Sequence, residues 1–135
     1  MRYIYLQIMK NALDIKKKLN EACFLFVEEK HNTVTSIIES NKKALFSETK
    51  SSAGDKHETG RAMLQLEMEK ASQQLNVIIE MKEVLSKIIL KKTSTISCLG
   101  SLIFTNKASY FLAISTGKIT IENIDYYAVS TNSPI

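Results

Sequence analysis

Tryptophan is absent from this chain, proline occurs once, and glycine occurs four times in 135 residues. So little glycine and proline excludes collagen-like and low-complexity character, and 44% apolar with 24% charged residues is a composition that folds. Only two cysteines and two histidines are present. Cys23 and Cys98 have no second Cys or His at metal-ligand spacing, and both read as buried small hydrophobes. Acyl-carrier condensing chemistry, which also uses Cys and His, is excluded because Cys23 falls mid-helix, Cys98 opens a strand-like stretch, and a chain this short cannot enclose the tunnel required. Long apolar runs are missing as well. Arg2 is followed by only a handful of apolar residues before Lys10, too few for a signal-peptide core or a membrane span, so a soluble protein of the reducing cytoplasm is expected, with no membrane partner. A basic patch is also lacking: 18 Lys+Arg against 14 Asp+Glu give +4, spread along the chain. A mild excess suits approach to a polyanionic assembly, whereas affinity for nucleic acid alone asks for a stripe of Lys and Arg, and no sequence-specific DNA binding is expected. At this length one domain, or a helical element with a small appendage, is expected, and a multi-domain enzyme is excluded.

What is present changes character near Lys92. Before it Leu, Lys, Glu, Met and Ala abound, which is helix-forming chemistry; after it Thr, Ser, Ile, Tyr, Phe and Val favour strands. Ile15, Leu19, Ala22, Phe26, Val34, Ile38, Asn41 and Leu45 step by threes and fours, with Cys23, Val27 and Ile37 widening the stripe. Leu64, Met68, Ala71, Leu75, Ile78, Leu85 and Ile89 make a second, heptad-like series, and Met63, Met68 and Met81 fall on or near its core side. Between the two, 50–60 carries both glycines of this part and no large apolar residue, so the chain turns back there. The expectation is an antiparallel coiled-coil hairpin over 9–92 with its tip at 50–60, a rod roughly 45 to 60 Å long at about 1.5 Å per residue. Residues 1–8 show no helical face and read as an N-terminal extension that is not the native start.

Residues 93–135 read as a small antiparallel β domain, a meander of strands over 101–105, 110–115, 118–121 and 124–129. Such a short segment makes a poor independent core, so the sheet leans on the helix bases or is incomplete at its C-terminus. An incomplete sheet would expose Ile119, Ile121, Tyr127 and Val129. The fold class is therefore α+β.

Chemistry concentrates at Gly54-Asp55-Lys56-His57-Glu58, two carboxylates three residues apart at the mouth of a helix. Asp55 and Glu58 suit an N-cap and its capping-box partner, with Ser52 as a competing cap. His57 is an exposed loop histidine or a proton shuttle beside the acids, and His31 a surface residue of the first helix. Lys56 and Arg61 are either solvated charges or contacts to phosphate or to an acidic partner patch.

The acidic pair on a long hairpin followed by a small β domain resembles the Gre family of bacterial transcript-cleavage factors, and more particularly its small Gre-like group in Bacteroidetes-type bacteria. The family tip reads approximately G-D-L-x-E-N-A-E-Y; here Gly54, Asp55 and Glu58 agree, while Thr59, Gly60, Arg61 and Ala62 replace N-A-E-Y. Gly100-Ser101-Leu102-Ile103 and Ser133-Pro134-Ile135 resemble the G-x-x-V strand opening and the S-P-[LI] segment of the family's FKBP-like β domain. The resemblance implies a cytoplasmic transcription elongation factor. Its tip enters the secondary channel of RNA polymerase, where Asp55 and Glu58 help hold a shared, weakly bound catalytic Mg²⁺ and promote cleavage of backtracked RNA. On this reading Lys56, His57 and Arg61 are binding residues, nascent RNA is an indirect partner, and the protein is a co-catalyst rather than an enzyme. Two alternatives stand beside it: a channel-binding regulator that does not cleave, and a helical-hairpin interaction module whose acids only cap a helix.

Overall fold

The computed structural model describes residues 2–50, 54–91 and 96–134, with side chains described over 11–47, 58–91 and 96–134. Two helices, α1 (Arg2–Lys50) and α2 (Gly54–Ser86), are followed by four strands: β1 (Leu102–Phe104), β2 (Ser109–Ala113), β3 (Gly117–Ile121) and β4 (Ile124–Ser130). This is the expected α+β layout, a helical hairpin and a small β domain. The chain divides into two compact units, Val27–Glu80, and Met1–Phe26 together with Met81–Ile135.

The described residues of the unit Val27–Glu80 are all helical. No glycine or proline interrupts the first 53 residues, so nothing in the backbone chemistry breaks α1. Its β-branched hydroxyl residues are tolerated because they bond back to the preceding turn: Thr33 Oγ1 donates to the Glu29 carbonyl at 2.9 Å and Thr35 Oγ1 to that of His31 at 2.8 Å. Val27, Val34, Ala71 and Ile78 are buried, and so is Asn41, the one polar residue of the stripe. Each fully buried Val or Ile contributes about 1.5–3 kcal/mol. Two residues placed on the core side by periodicity are not in it. Ile37 and Met63 are exposed. Met63 lies one residue before Leu64, about 100° around the helix, and that rotation carries it out of the stripe.

The part of the expected tip over Gly54–Gly60 is helix, not loop; 51–53 lie outside the described residues. Acidic residues in a first turn favour the helix dipole, and that, with the rest of the turn, outweighs the roughly 1 kcal/mol that Gly60 costs. At the other end α2 stops at Ser86 rather than Lys92. Lys87 N donates to the Val84 carbonyl at 3.1 Å and Ile88 N to that of Leu85 at 3.3 Å, tightening the last turn, and Ile89 is exposed instead of continuing the stripe. At the chain start, 2–8 are helical in backbone as part of α1 despite lacking an apolar face; their side chains lie outside the described residues.

The second unit buries Leu19, Cys23 and Leu85 from the helices and Phe111, Leu112, Ala113, Ile114, Tyr126 and Ala128 from the sheet region. Burial pushes the Cys23 thiol up to about 11. Cys98, half-buried, precedes β1 instead of opening a strand. The strands fall close to the expected intervals, but the sheet is not an antiparallel meander. Its order is β1-β2-β4-β3, with β2 and β4 parallel and the other pairs antiparallel. The reason begins at the β3–β4 turn, where Glu122 (φ 51°) and Asn123 (φ 66°) both take left-handed backbone. Two consecutive left-handed residues make the tight hairpin turn that matches strand twist, so β4 folds back directly on β3. Its other edge then meets β2, with Phe111 opposite Ala128 and Leu112 opposite Val129. Ser115 and Thr116 bridge the end of the sheet, Thr116 N donating to the Ala128 carbonyl at 3.2 Å and Ser130 N to Ser115 Oγ at 3.2 Å.

A salt bridge fastens α1 to the β3–β4 turn: Lys18 Nζ lies 2.8 Å from Glu122 Oε1. The bond holds the Glu122 carboxyl below its usual range and raises the Lys18 ammonium, each chiefly through the hydrogen bond and then through charge attraction. Where the chain passes from α2 to β1, Gly100 (φ 90°) donates to the Leu112 carbonyl at 2.6 Å, and a Cβ there would meet Ile88 Cγ2 at 3.1 Å. Positive φ and this close approach both call for glycine.

Candidate functional site

The acidic pair lies on the first two turns of α2. Gly54 opens the helix, so Asp55 is inside its first turn rather than at the N-cap position that precedes it, which corrects the capping assignment. Positions 55 and 58 are one turn apart and share a helix face. The side chains of Asp55, Lys56 and His57 and the competing cap Ser52 lie outside the described residues; the backbone of His57 is helical, not loop. Glu58 and Arg61 are exposed, again one turn apart, and neither is paired with a described residue. The α2 N-terminus therefore presents acidic, acidic and basic positions in succession along one side of the helix.

The chemistry open to this arrangement is limited and specific. Two carboxylates supply a fraction of the six oxygens an octahedral Mg²⁺ requires. The donor set fits a shared ion whose remaining ligands come from water and a partner. Among the described residues no group of three or more His, Cys, Asp or Glu is placed to hold a metal. His31 is half-buried on α1 in a different turn of chain and does not join the acids by sequence position. Met68 and Met81 are half-buried and belong with the helix packing.

One constellation was not visible in the sequence. Parallel pairing of β2 and β4 sets Tyr110 directly beside Tyr127, their ring centroids 6.1 Å apart at an interplanar angle of 41°. The alternation Tyr110-Phe111-Leu112-Ala113 indicates that Tyr110 and Leu112 share one face, but only strand order shows which residue stands next to them. A hollow of ≈ 690 Å³ lies beside Tyr110, bounded by the β1–β2 connection and by Thr131 and Ser133 after β4.

No family model, no curated protein and no solved structure matches the chain. No helix among the described residues is long and apolar enough to cross a membrane.

Proposed function

We propose that the chain is a transcription elongation factor of the Gre type, acting in the secondary channel of RNA polymerase to promote cleavage of backtracked transcript. The observation that carries the reading is the combination of a helical hairpin, whose second helix opens on Asp55 and Glu58 one turn apart, with a small β domain. Asp55 and Glu58 carry the negative charge that attracts the divalent ion. Mg²⁺, shared with the polymerase, supplies the polarisation that makes water a competent nucleophile. Arg61, one turn further, offers a cation to phosphate or to an acidic patch of the channel. The polymerase provides the substrate, the other metal site and most of the binding energy.

The exposed apolar residues Met63, Leu66 and Val77 on the same helix favour a second reading, in which the hairpin docks on a protein partner and modulates it without chemistry. Stalled elongation complexes with labelled RNA separate the two. Asp55→Asn with Glu58→Gln keeps side chains of the same size on the helix at a cost of about 1 kcal/mol, chiefly the lost interaction of two negative charges with the helix dipole. A neutral amide is a poor Mg²⁺ ligand. The wild type is expected to shorten the RNA, and the double variant to bind polymerase without shortening it. Altered elongation by the wild type without shortening supports the second reading, and retention of cleavage by the double variant refutes the role given to the acids.

A further inference from the structure

We propose that the outer face of the sheet is a stacking platform for single-stranded nucleic acid. One row crosses all four strands: Ile103 on β1 opposes Tyr110 on β2, Tyr110 is registered with Tyr127 on β4, and Tyr127 opposes Lys118 on β3. Two aromatic rings thus occupy the two central strands, with an aliphatic side chain at one end and a cation at the other. The opposite face holds Phe111, Ala113, Tyr126 and Ala128, all buried, while on the platform face Leu112 is buried, Ile103 and Tyr110 are half-buried and Tyr127 and Lys118 are exposed. Tyr127 is 38% exposed. A tilted ring pair leaves flat aromatic surface for a planar guest, and every nucleobase has such a surface irrespective of sequence.

Charge and hydrogen-bonding groups complete the match. The hollow beside Tyr110 is also lined by Leu112, Asn106, Lys107, Thr131 and Ser133, which set an amide, two hydroxyls and an ammonium around an apolar floor. Such a floor takes a base, and the rim offers donors to a sugar and a phosphate. At the far end of the row the Lys118 ammonium is 4.0 Å from Asp125 Oδ2, a long pair that leaves it able to meet a second anion, while Thr120 Oγ1 donates to Asp125 Oδ1 at 2.7 Å and occupies that carboxylate. Lys118 closes the row on β3 and Lys107 lines the hollow beside Tyr110, so each ring has a lysine in its neighbourhood, which suits a phosphate-linked strand running across the sheet. Because the chain has no linear basic stripe, stacking carries more of the binding than charge, and the affinity is modest. The proposal depends on the sheet alone and stands or falls independently of the cleavage reading.

The test uses the full chain without polymerase. Labelled octamers of single-stranded RNA and DNA are titrated by fluorescence anisotropy, alongside an RNA duplex of equal length and an octaglutamate peptide. Because the chain has no tryptophan, its emission comes from five tyrosines, and the share lost in Tyr110→Phe and Tyr127→Phe assigns the quenching to the platform rings. The expected result is saturable binding of single strands with quenched tyrosine emission. Tyr110→Ala and Tyr127→Ala should each weaken it about tenfold or more, and Tyr110→Phe and Tyr127→Phe should leave it within about twofold. Lys107→Gln and Lys118→Gln should each flatten the logarithmic salt dependence by about 0.7. A preference for RNA over DNA assigns a ribose contact, and equal binding assigns stacking and phosphate alone; both support the platform. Absence of saturable single-strand binding, equal binding of the duplex or of octaglutamate, or unchanged affinity in folded Tyr110→Ala and Tyr127→Ala overturns it.

Discussion

Replacing Asn41 by leucine should stabilise the protein, against the usual direction of core substitutions, which centre near 1 kcal/mol destabilising. Asn41 is 7% exposed and its Nδ2 is buried without a hydrogen-bond partner. Leaving such a donor unsatisfied costs about 1–3 kcal/mol. Leucine has nearly the same shape and no donor to strand, so the penalty disappears. The site also borders a groove lined by Ser40, Ala71 and Gln74, which gives the new methyl groups room and lets them bury apolar area worth about 1 kcal/mol, half of what full burial would give. Against this stands about 0.5–1 kcal/mol of side-chain entropy for leucine. The net expectation is a gain of about 1–3 kcal/mol. Urea unfolding followed by circular dichroism, with a slope of about 1–3 kcal/mol per M, should show the midpoint raised by about 1 M with the slope unchanged. Asn41→Ala serves as the companion: it removes the amide but leaves a void, so its midpoint should fall below that of Asn41→Leu. A midpoint for Asn41→Leu equal to or below wild type would refute the assignment of Asn41 as an unsatisfied buried donor.

Gly100→Ala should destabilise by about 1–3 kcal/mol, through left-handed backbone strain and the forced shift of Ile88, and appear as a lower melting temperature; an unchanged melting temperature would show that the 87–101 connection yields freely. The Lys18–Glu122 pair predicts a salt- and pH-dependent increment of stability. The depressed Glu122 carboxyl makes its contribution present above the ordinary carboxylate range and lost as pH falls through its folded value, below 4.5. The raised Lys18 ammonium makes its share present below 10.5 and lost as pH rises through its folded value above that. Lys18→Gln should therefore lower the melting temperature slightly at neutral pH and low salt, and the difference from wild type should vanish near pH 3 and in about 1 M salt; a difference that persists in both would show that Lys18 acts through packing instead.

Local chemistry determined the helices and the existence of the strands. A run of 53 residues without glycine or proline, with apolar residues recurring every three or four positions, buries its stripe as a helix, and Leu19, Cys23, Val27 and Val34 of that run are buried, as are Ala71 and Ile78 of the second periodic series. The acidic pair was equally plain, because its spacing is local. Element ends were not. Gly54–Gly60 looks like a loop by composition, yet it is helix, its first turn carrying Asp55 where the dipole favours an acid, and Ile89 continues the heptad but lies past the point where the chain leaves α2. Strand order was decided only by tertiary structure. Residue identities show that Glu122-Asn123 turns the chain, but whether β4 then closes on β2 depends on which edge of β2 is open once β1 has paired, and that is a property of the assembled sheet. The juxtaposition of Tyr110 with Tyr127 inherits this dependence. Side-chain alternation is written along each strand, whereas neighbours across strands arise from pairing between distant segments, where no local pattern records them.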